Sequence, residues 1–267
     1  VIYYDCNRRN KTMNLQEKKD YVLENLHFVP EEEKNLFDFN FVCVLTRNSV
    51  GMESGKRASL EEVVSIIRGY HVRVDETLKR SVYNHYKAYN MMLKFLNENK
   101  DKKLTEEFLK DLHAELTNGI LDSGGLYRNV NIQIKGSMHT PCDYVKVYDR
   151  MKKYFYDVNH TDKSPIENAA YAHLQLAKIH PFLDGNGRLA RLMLDFFLIK
   201  DGFVPISIPA KRRLEYFDLL EEFKVNKNSV PFENFIDELL NKEYDRMIEM
   251  INRYKNCLLY TSPSPRD

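Results

Sequence analysis

Twelve consecutive residues hold most of the reactive chemistry in the chain: His180-Pro181-Phe182-Leu183-Asp184-Gly185-Asn186-Gly187-Arg188-Leu189-Ala190-Arg191. Gly185, Asn186 and Gly187 tolerate positive φ, and such a turn can aim successive backbone N–H groups at an anion. A helix starting there adds its own anion-seeking N-terminus. Arg188 and Arg191 are three apart, so they share a face of that first turn. Two cations oppose the helix dipole there, a conflict that a bound polyanion resolves. The pattern therefore points to a di- or triphosphate. Asp184 is a carboxylate beside the same nest. It fits there if a cation stands between, and Mg²⁺ commonly takes one or two carboxylates plus phosphate oxygens and water. His180, with its near-neutral pKa, is the natural general base for an incoming hydroxyl. Base, metal ligand, nest and arginine pair are what phosphoryl or nucleotidyl transfer requires.

Each feature has a plainer reading when taken alone. A histidine before proline is more often a helix C-terminal cap. A Gly-Asn-Gly turn is usually only a turn. Arg188, Arg191 and Asp195 lie at i, i+3 and i+7, the spacing of a buried ion-pair network. Their joint occurrence within a short stretch favours the site.

Several helices must position this segment. Ser164-Pro165-Ile166-Glu167 is a helix start, with a serine cap, proline at the first position and glutamate three on. That helix runs to about Ile179. The next runs from about Arg188 to Lys200, apolar nearly all round and so central. Ser59-Leu60-Glu61-Glu62 forms another capping box. Val82, Tyr86, Tyr89, Leu93 and Leu96 give helical periodicity from about Asp75 to Asn97. Thr105 caps a helix ending at Gly119, and further helices are expected near 211–222 and 231–252. Val130, Ile132 and Ile134 alternate with Asn131, Gln133 and Lys135, which predicts a short hairpin against a helical body. The histidines His85 and His113 are expected to bound the core, and His173 to be a packing residue.

Composition limits the alternatives. The 267 residues are 43% hydrophobic and 30% charged, which excludes wholesale disorder. Forty basic against 39 acidic side chains leave a formal net charge of +1, so no global field draws in nucleic acid or a membrane. Ten glycines and nine prolines are few for a turn-rich β fold. The four cysteines, Cys6, Cys43, Cys142 and Cys257, form no Cys-x-x-Cys pair, so no zinc site is visible and a reducing compartment, the cytoplasm, is expected. No apolar run reaches the roughly 18 residues of a membrane span, and the N-terminus has no signal-peptide pattern. The start at Val1 predicts that the natural start lies elsewhere. Thr261–Asp267 reads plainly as a disordered tail, and Cys257–Asp267 also resembles a translated sequencing adapter.

The His180–Arg191 segment matches, at every specified position, the signature His-Pro-Phe-x-x-[Asp/Glu]-Gly-Asn-Gly-Arg-x-x-Arg. The chain resembles the Fic-domain protein adenylyltransferases over roughly Phe41 to Ile248. Gly125-Leu126-Tyr127-Arg128 and the Val130–Pro141 stretch are similar to that family's Gly-x-Tyr-Arg and target-binding flap. Gly202-Phe203-Val204-Pro205 and Arg213–Phe217 are similar to segments after its motif. The resemblance implies a mainly α Fic-type helical bundle with a small β-hairpin flap. It divides the chain into an N-terminal helical region (1–75), a Fic domain with C-terminal helices (76–255) and a tail (256–267). It implies transfer of AMP from MgATP to a Ser, Thr or Tyr hydroxyl of a protein, the chain itself included, and leaves a homodimer open.

The roles it implies are these. His180 deprotonates the target and Asp184 binds Mg²⁺. Gly185, Asn186 and Gly187 form the anion hole, Arg188 holds phosphates, and Arg191 orients the terminal phosphate. Asp195 and Tyr216 lie at the nucleotide base. Ile132, Ile134, Lys135, Gly136 and His139 form the flap, which pairs with the target backbone as an added strand. Many members also carry an inhibitory helix, [Ser/Thr]-x-x-x-Glu-[Gly/Asn]. Ser49-Val50-Gly51-Met52-Glu53-Ser54 matches it except at Ser54. Glu53 is then expected to pair with Arg191 and hold the enzyme at rest. Asp195, where many relatives have Asn, can compete for Arg191 and leaves another nucleotide donor open. Removal of AMP, with Glu53 positioning water, and a non-catalytic nucleotide-sensing module are the other readings.

Overall fold

The computed structural model describes residues 13–54, 57–99 and 101–261. Ten α-helices occur among them. In chain order they are α1 (Leu15–Asn25), α2 (Glu31–Ser54), α3 (Leu60–Ile67), α4 (Glu76–Glu98), α5 (Glu106–Thr117), α6 (Val147–Asn159), α7 (Pro165–Ile179), α8 (Asn186–Lys200), α9 (Arg213–Asn226) and α10 (Val230–Thr261). Their starts follow from local chemistry. Ser59 and Ser164 accept from the N–H groups of Glu62 and Glu167, whose carboxylates return to the cap N–H groups. Asp75 and Thr105 cap α4 and α5 with one side-chain bond each.

The axis of the fold is α8. Every residue from Arg188 to Leu198 is buried, as expected of a helix that is apolar nearly all round. It forms a close antiparallel hairpin with α7 and is also touched by α2, α4 and α5. One continuous core collects Phe41, Val42, Leu45 and Met52 of α2 with Leu189, Leu192 and Phe196 of α8 and Phe232, Ile236 and Leu240 of α10. A smaller cluster, with Cys43, Val50, Val63, Ile66 and Val82, fills the corner between α2, α3 and α4. No helix among the described residues is long and apolar enough to cross a membrane. The tail expected at 256–267 begins inside α10, and its last six residues lie outside the described residues.

The expected β-hairpin is not found: no strand occurs among the described residues of the flap. The stretch keeps the alternating exposure of an extended chain and turns at Ile134–Ser137, where the Ser137 N–H donates to the Ile134 carbonyl at 3.1 Å. Its arms are bridged by a side chain instead of a backbone ladder. The Arg128 guanidinium donates to the carbonyl of Val130 on one arm and of Cys142 on the other. The tip is tied to α9, where Glu221 accepts from the Ser137 hydroxyl at 2.5 Å and the Met138 N–H at 3.0 Å.

Candidate active site

The α7–α8 turn carries the signature, and its backbone explains the residue types. His180 closes α7 in the left-handed region, φ 52°. Gly185, φ 75°, opens α8, and no side chain caps that N-terminus. An uncapped helix start leaves N–H donors free for an anion. Asn186 is buried and fixes the turn with both ends of its amide. It accepts from the Phe182 N–H at 3.0 Å and donates to the Phe182 carbonyl at 2.9 Å. Its side chain is thus a staple of the turn.

Two further staples escaped the sequence reading. His113 on α5 stacks on Phe182 with ring centroids 3.7 Å apart. Its Nδ1 accepts from the Gly125 N–H at 2.9 Å, so its Nε2 carries the proton and donates to the Asp184 carbonyl at 2.8 Å. Burial lowers the His113 pKa to about 4, which keeps that tautomer neutral. Arg128, also buried, donates from Nε to the His180 carbonyl at 2.9 Å. It therefore joins the base to the flap. The spacing of His113 reads as an ordinary core position on an amphipathic helix, because its partners lie 12 and 71 residues away.

His180 is half-buried. Its pKa is lowered to about 4, first by burial, with Lys224 and Arg128 adding cationic repulsion against the opposing pulls of the Ala177 carbonyl and Glu53. At neutral pH it is an uncharged imidazole, the form a general base needs.

The arginines meet a carboxylate from α2. Glu53 accepts from Arg188 Nε at 2.9 Å and from Arg191 Nη2 at 3.0 Å. Ser49, one turn earlier, receives Arg191 Nε on its hydroxyl at 2.9 Å and Arg191 Nη2 on its carbonyl at 2.8 Å. Both guanidiniums are about 5% exposed, whereas Glu53 is 29% exposed. Gly187 permits the approach: a Cβ there would stand 2.4 Å from Glu53 Oε1. The structure thus brings Ser49, Glu53, Gly187, Arg188 and Arg191 into one cluster. A cavity of about 510 Å³ opens beside it, lined in part by Glu53, Asp184, Arg188, Asp75 and Ser81. That is the size range of small-ligand pockets.

Asp184 is 61% exposed at the rim, with Arg188 Nη2 at 3.5 Å. Among the described residues no three His, Cys, Asp or Glu side chains gather to hold a metal. One exposed carboxylate beside a phosphate-sized nest fits Mg²⁺ that arrives with its phosphate, and does not fit a metal caged by protein alone.

The two residues expected at the nucleotide base, Asp195 and Tyr216, are both buried. Asp195 is 1% exposed and does not pair with Arg191. Its Oδ1 accepts from the Ile206 N–H at 2.9 Å, and burial, against the pull of that bond, raises its pKa well above the carboxylate range. The i+4 spacing suggested an ion pair, but Arg191 is committed to α2. Tyr216 is equally buried. Arg191 Nη1 donates to its hydroxyl at 3.4 Å, and the hydroxyl shares a 3.0 Å bond with His173 Nε2. It backs the arginine instead of facing an open pocket. Of the flap residues, Ile132, Ile134 and His139 are half-buried and Lys135 and Gly136 exposed. His139 Nε2 lies 3.2 Å from the Lys178 carbonyl, which ties the flap to α7.

Comparison with known proteins agrees with this arrangement. Residues 103–198 match the model of the Fic/DOC family. Protein adenylyltransferase Fic of Drosophila persimilis is 28% identical over 204 residues, which are 74% of this chain and 39% of that protein. The Drosophila grimshawi protein of the same name is 28% identical over 205 residues, 74% of this chain and 41% of its own length. The chain therefore spans well under half of the curated relatives it matches. Among solved structures, a Fic-domain-containing signaling protein from Bacteroides thetaiotaomicron superposes with a TM-score of 0.79 at 20% identity, covering 89% of this chain and 96% of that one. Fic-1 from C. elegans superposes at 0.69 with 21% identity, covering 93% and 72%. At these identities the structural likeness speaks for the fold. With the signature seated on the α7–α8 turn of that shared fold, the chain resembles the Fic/DOC family, whose model it matches over residues 103–198.

Proposed function

We propose that this chain transfers AMP from ATP to a hydroxyl of a protein, and that Glu53 holds it in a resting state. The observation that carries the reading is the Glu53 carboxylate bound to both signature arginines at the uncapped start of α8. One anion occupies the place where phosphate oxygens would bind. The relatives' names supply the adenylyl donor.

In the step itself, the target hydroxyl oxygen attacks the α-phosphorus while its proton passes to neutral His180. The bond from the α-phosphorus to the bridging oxygen breaks, and pyrophosphate leaves. Free N–H groups of the Gly185–Gly187 turn and the two guanidiniums face the developing charge. Mg²⁺, when held by Asp184 and the phosphates, would neutralise part of that charge. The target's extended backbone adds along the flap, whose arms lack a backbone ladder between them. The N-terminal helical region (1–75), which contains Ser49 and Glu53, is the regulatory part, and 76–255 the catalytic Fic domain.

The test compares two labels on Glu53→Gly protein. With α-³²P-ATP the protein becomes labelled, and with γ-³²P-ATP it does not. Label from the γ position would mean phosphoryl transfer and would overturn the reading.

A further inference from the structure

A second cavity, of about 360 Å³, lies where α2 meets the segment leading into α9. It is lined by Arg47, Asn48, Arg57, Pro209, Ala210 and Lys211. Three cations converge there and no carboxylate lines the space. None of the three has an ion pair among the described residues, whereas neighbouring Arg212 has two, with Glu215 and Glu238. The guanidiniums are held by backbone carbonyls. Arg47 Nε donates to Ala58 at 3.0 Å, and Arg57 Nη2 donates to Ala210 at 3.0 Å. Each keeps further donors of its fork unused. Asn48 ties the walls together by donating to the Ser207 hydroxyl at 2.9 Å and accepting from the Ala210 N–H at 3.3 Å.

The Arg57 stem is seated on α2. A Cβ on Gly51 would stand 2.9 Å from Arg57 Cγ and 3.4 Å from its Cδ. A glycine inside a helix is unfavourable relative to alanine. Here the missing side chain is the space across which Arg57 lies. Unpaired like charges repel, and a preordered fork matches planar or tetrahedral oxyanions.

We propose that this cavity is a polyphosphate-anion site distinct from the signature nest, and that its occupant fastens α2 to the 207–211 segment. Pyrophosphate and the phosphate tail of a nucleotide share the chemistry. The bound anion bridges Arg47 and Arg57, on and just after α2, to Lys211. It thereby steadies Ser49 and Glu53 on the arginines. That regulatory consequence rests on the proposed function; the binding does not.

The experiment follows thermal shift and calorimetric binding of the full chain with inorganic pyrophosphate, ADP and, at matched ionic strength, sulfate. Wild type, Lys211→Gln and Arg47→Gln are compared, so that binding at the signature nest is common to all and cancels. Lys211 makes no hydrogen bond or ion pair among the described residues, so its replacement leaves folding intact. The expected result is about 10-fold weaker binding of pyrophosphate or ADP in each variant, with no such difference for sulfate. A larger loss for ADP than for pyrophosphate assigns the site to a nucleotide, and the reverse assigns it to the free anion. Equal binding by wild type and both variants, or an equal loss for sulfate, overturns the site. Transfer activity enters only afterwards: pyrophosphate lowers wild-type labelling through this cavity if the loss is relieved in Lys211→Gln.

Discussion

At the residue scale, the chemistry depends on how burial sets charge. His180 titrates near 4 because burial disfavours its cation. The kcat/KM of Glu53→Gly protein is therefore expected to stay level as pH falls from 7 to about 5 and to drop only near 4. A limb near 6.5 in the pH–rate profile would assign the base elsewhere. Asp195 presents the opposite sign. Its folded pKa is raised, so above about pH 4 the folded chain holds a proton that the unfolded chain releases, and stability falls as pH rises. Asp195→Asn removes that dependence while keeping an acceptor for the Ile206 N–H. Its stability advantage should widen as pH rises from about 4, by at most about 1.4 kcal/mol per pH unit. Urea melts at several pH values measure this, and a constant gap would mean that Asp195 is ionised in the fold. The signature residues were legible in the sequence because a single turn brings them together. The environment of Asp195 was not, because its partner Ile206 lies on the segment returning after α8.

At the element scale, two helices meet end-on at the site. The first turns of α8 carry the two guanidiniums, and the last turn of α2 delivers the carboxylate that accepts from them. The end of α2 is held by α9: Arg213 Nε donates to the Met52 carbonyl at 2.8 Å, a cation placed to satisfy a helix C-terminus. Arg213→Gln should loosen that grip and raise basal labelling of otherwise wild-type protein about 2- to 5-fold, with no effect in a Glu53→Gly background. A gain of the same size in both backgrounds would mean that Arg213 acts on the chemistry and not on the lock. The capping boxes made α3 and α7 readable, and periodicity made α4 and α5 readable. The flap was misread because alternation marks an extended chain and not a paired one. Pairing depends on what crosses between the arms, and here side chains do so: Arg128 reaches Val130 and Cys142, and Asn131 bonds to Asp143 and the Tyr144 N–H.

At the scale of the whole molecule, α2, which carries Glu53, is part of the main core. Val29, before α2, and Phe41, Val42, Leu45 and Met52 of α2 are all buried in the main cluster. At about 1.5–3 kcal/mol each, their burial is comparable to the 5–15 kcal/mol that keeps a domain folded. A chain lacking residues 1–54 should therefore lose its cooperative thermal transition by circular dichroism, while Glu53→Gly keeps it. A truncated chain that melts cooperatively would show the helix to be a detachable arm. The net charge of +1 supplies no long-range field to draw in a charged partner.

The central claim is best tested by protein labelling from α-³²P-ATP with Mg²⁺ in wild type, Glu53→Gly and Glu53→Gly/His180→Ala. The account predicts weak label in wild type, at least 10-fold more in Glu53→Gly, and none in the double variant. Equal label in wild type and Glu53→Gly, or label that survives loss of His180, would contradict it.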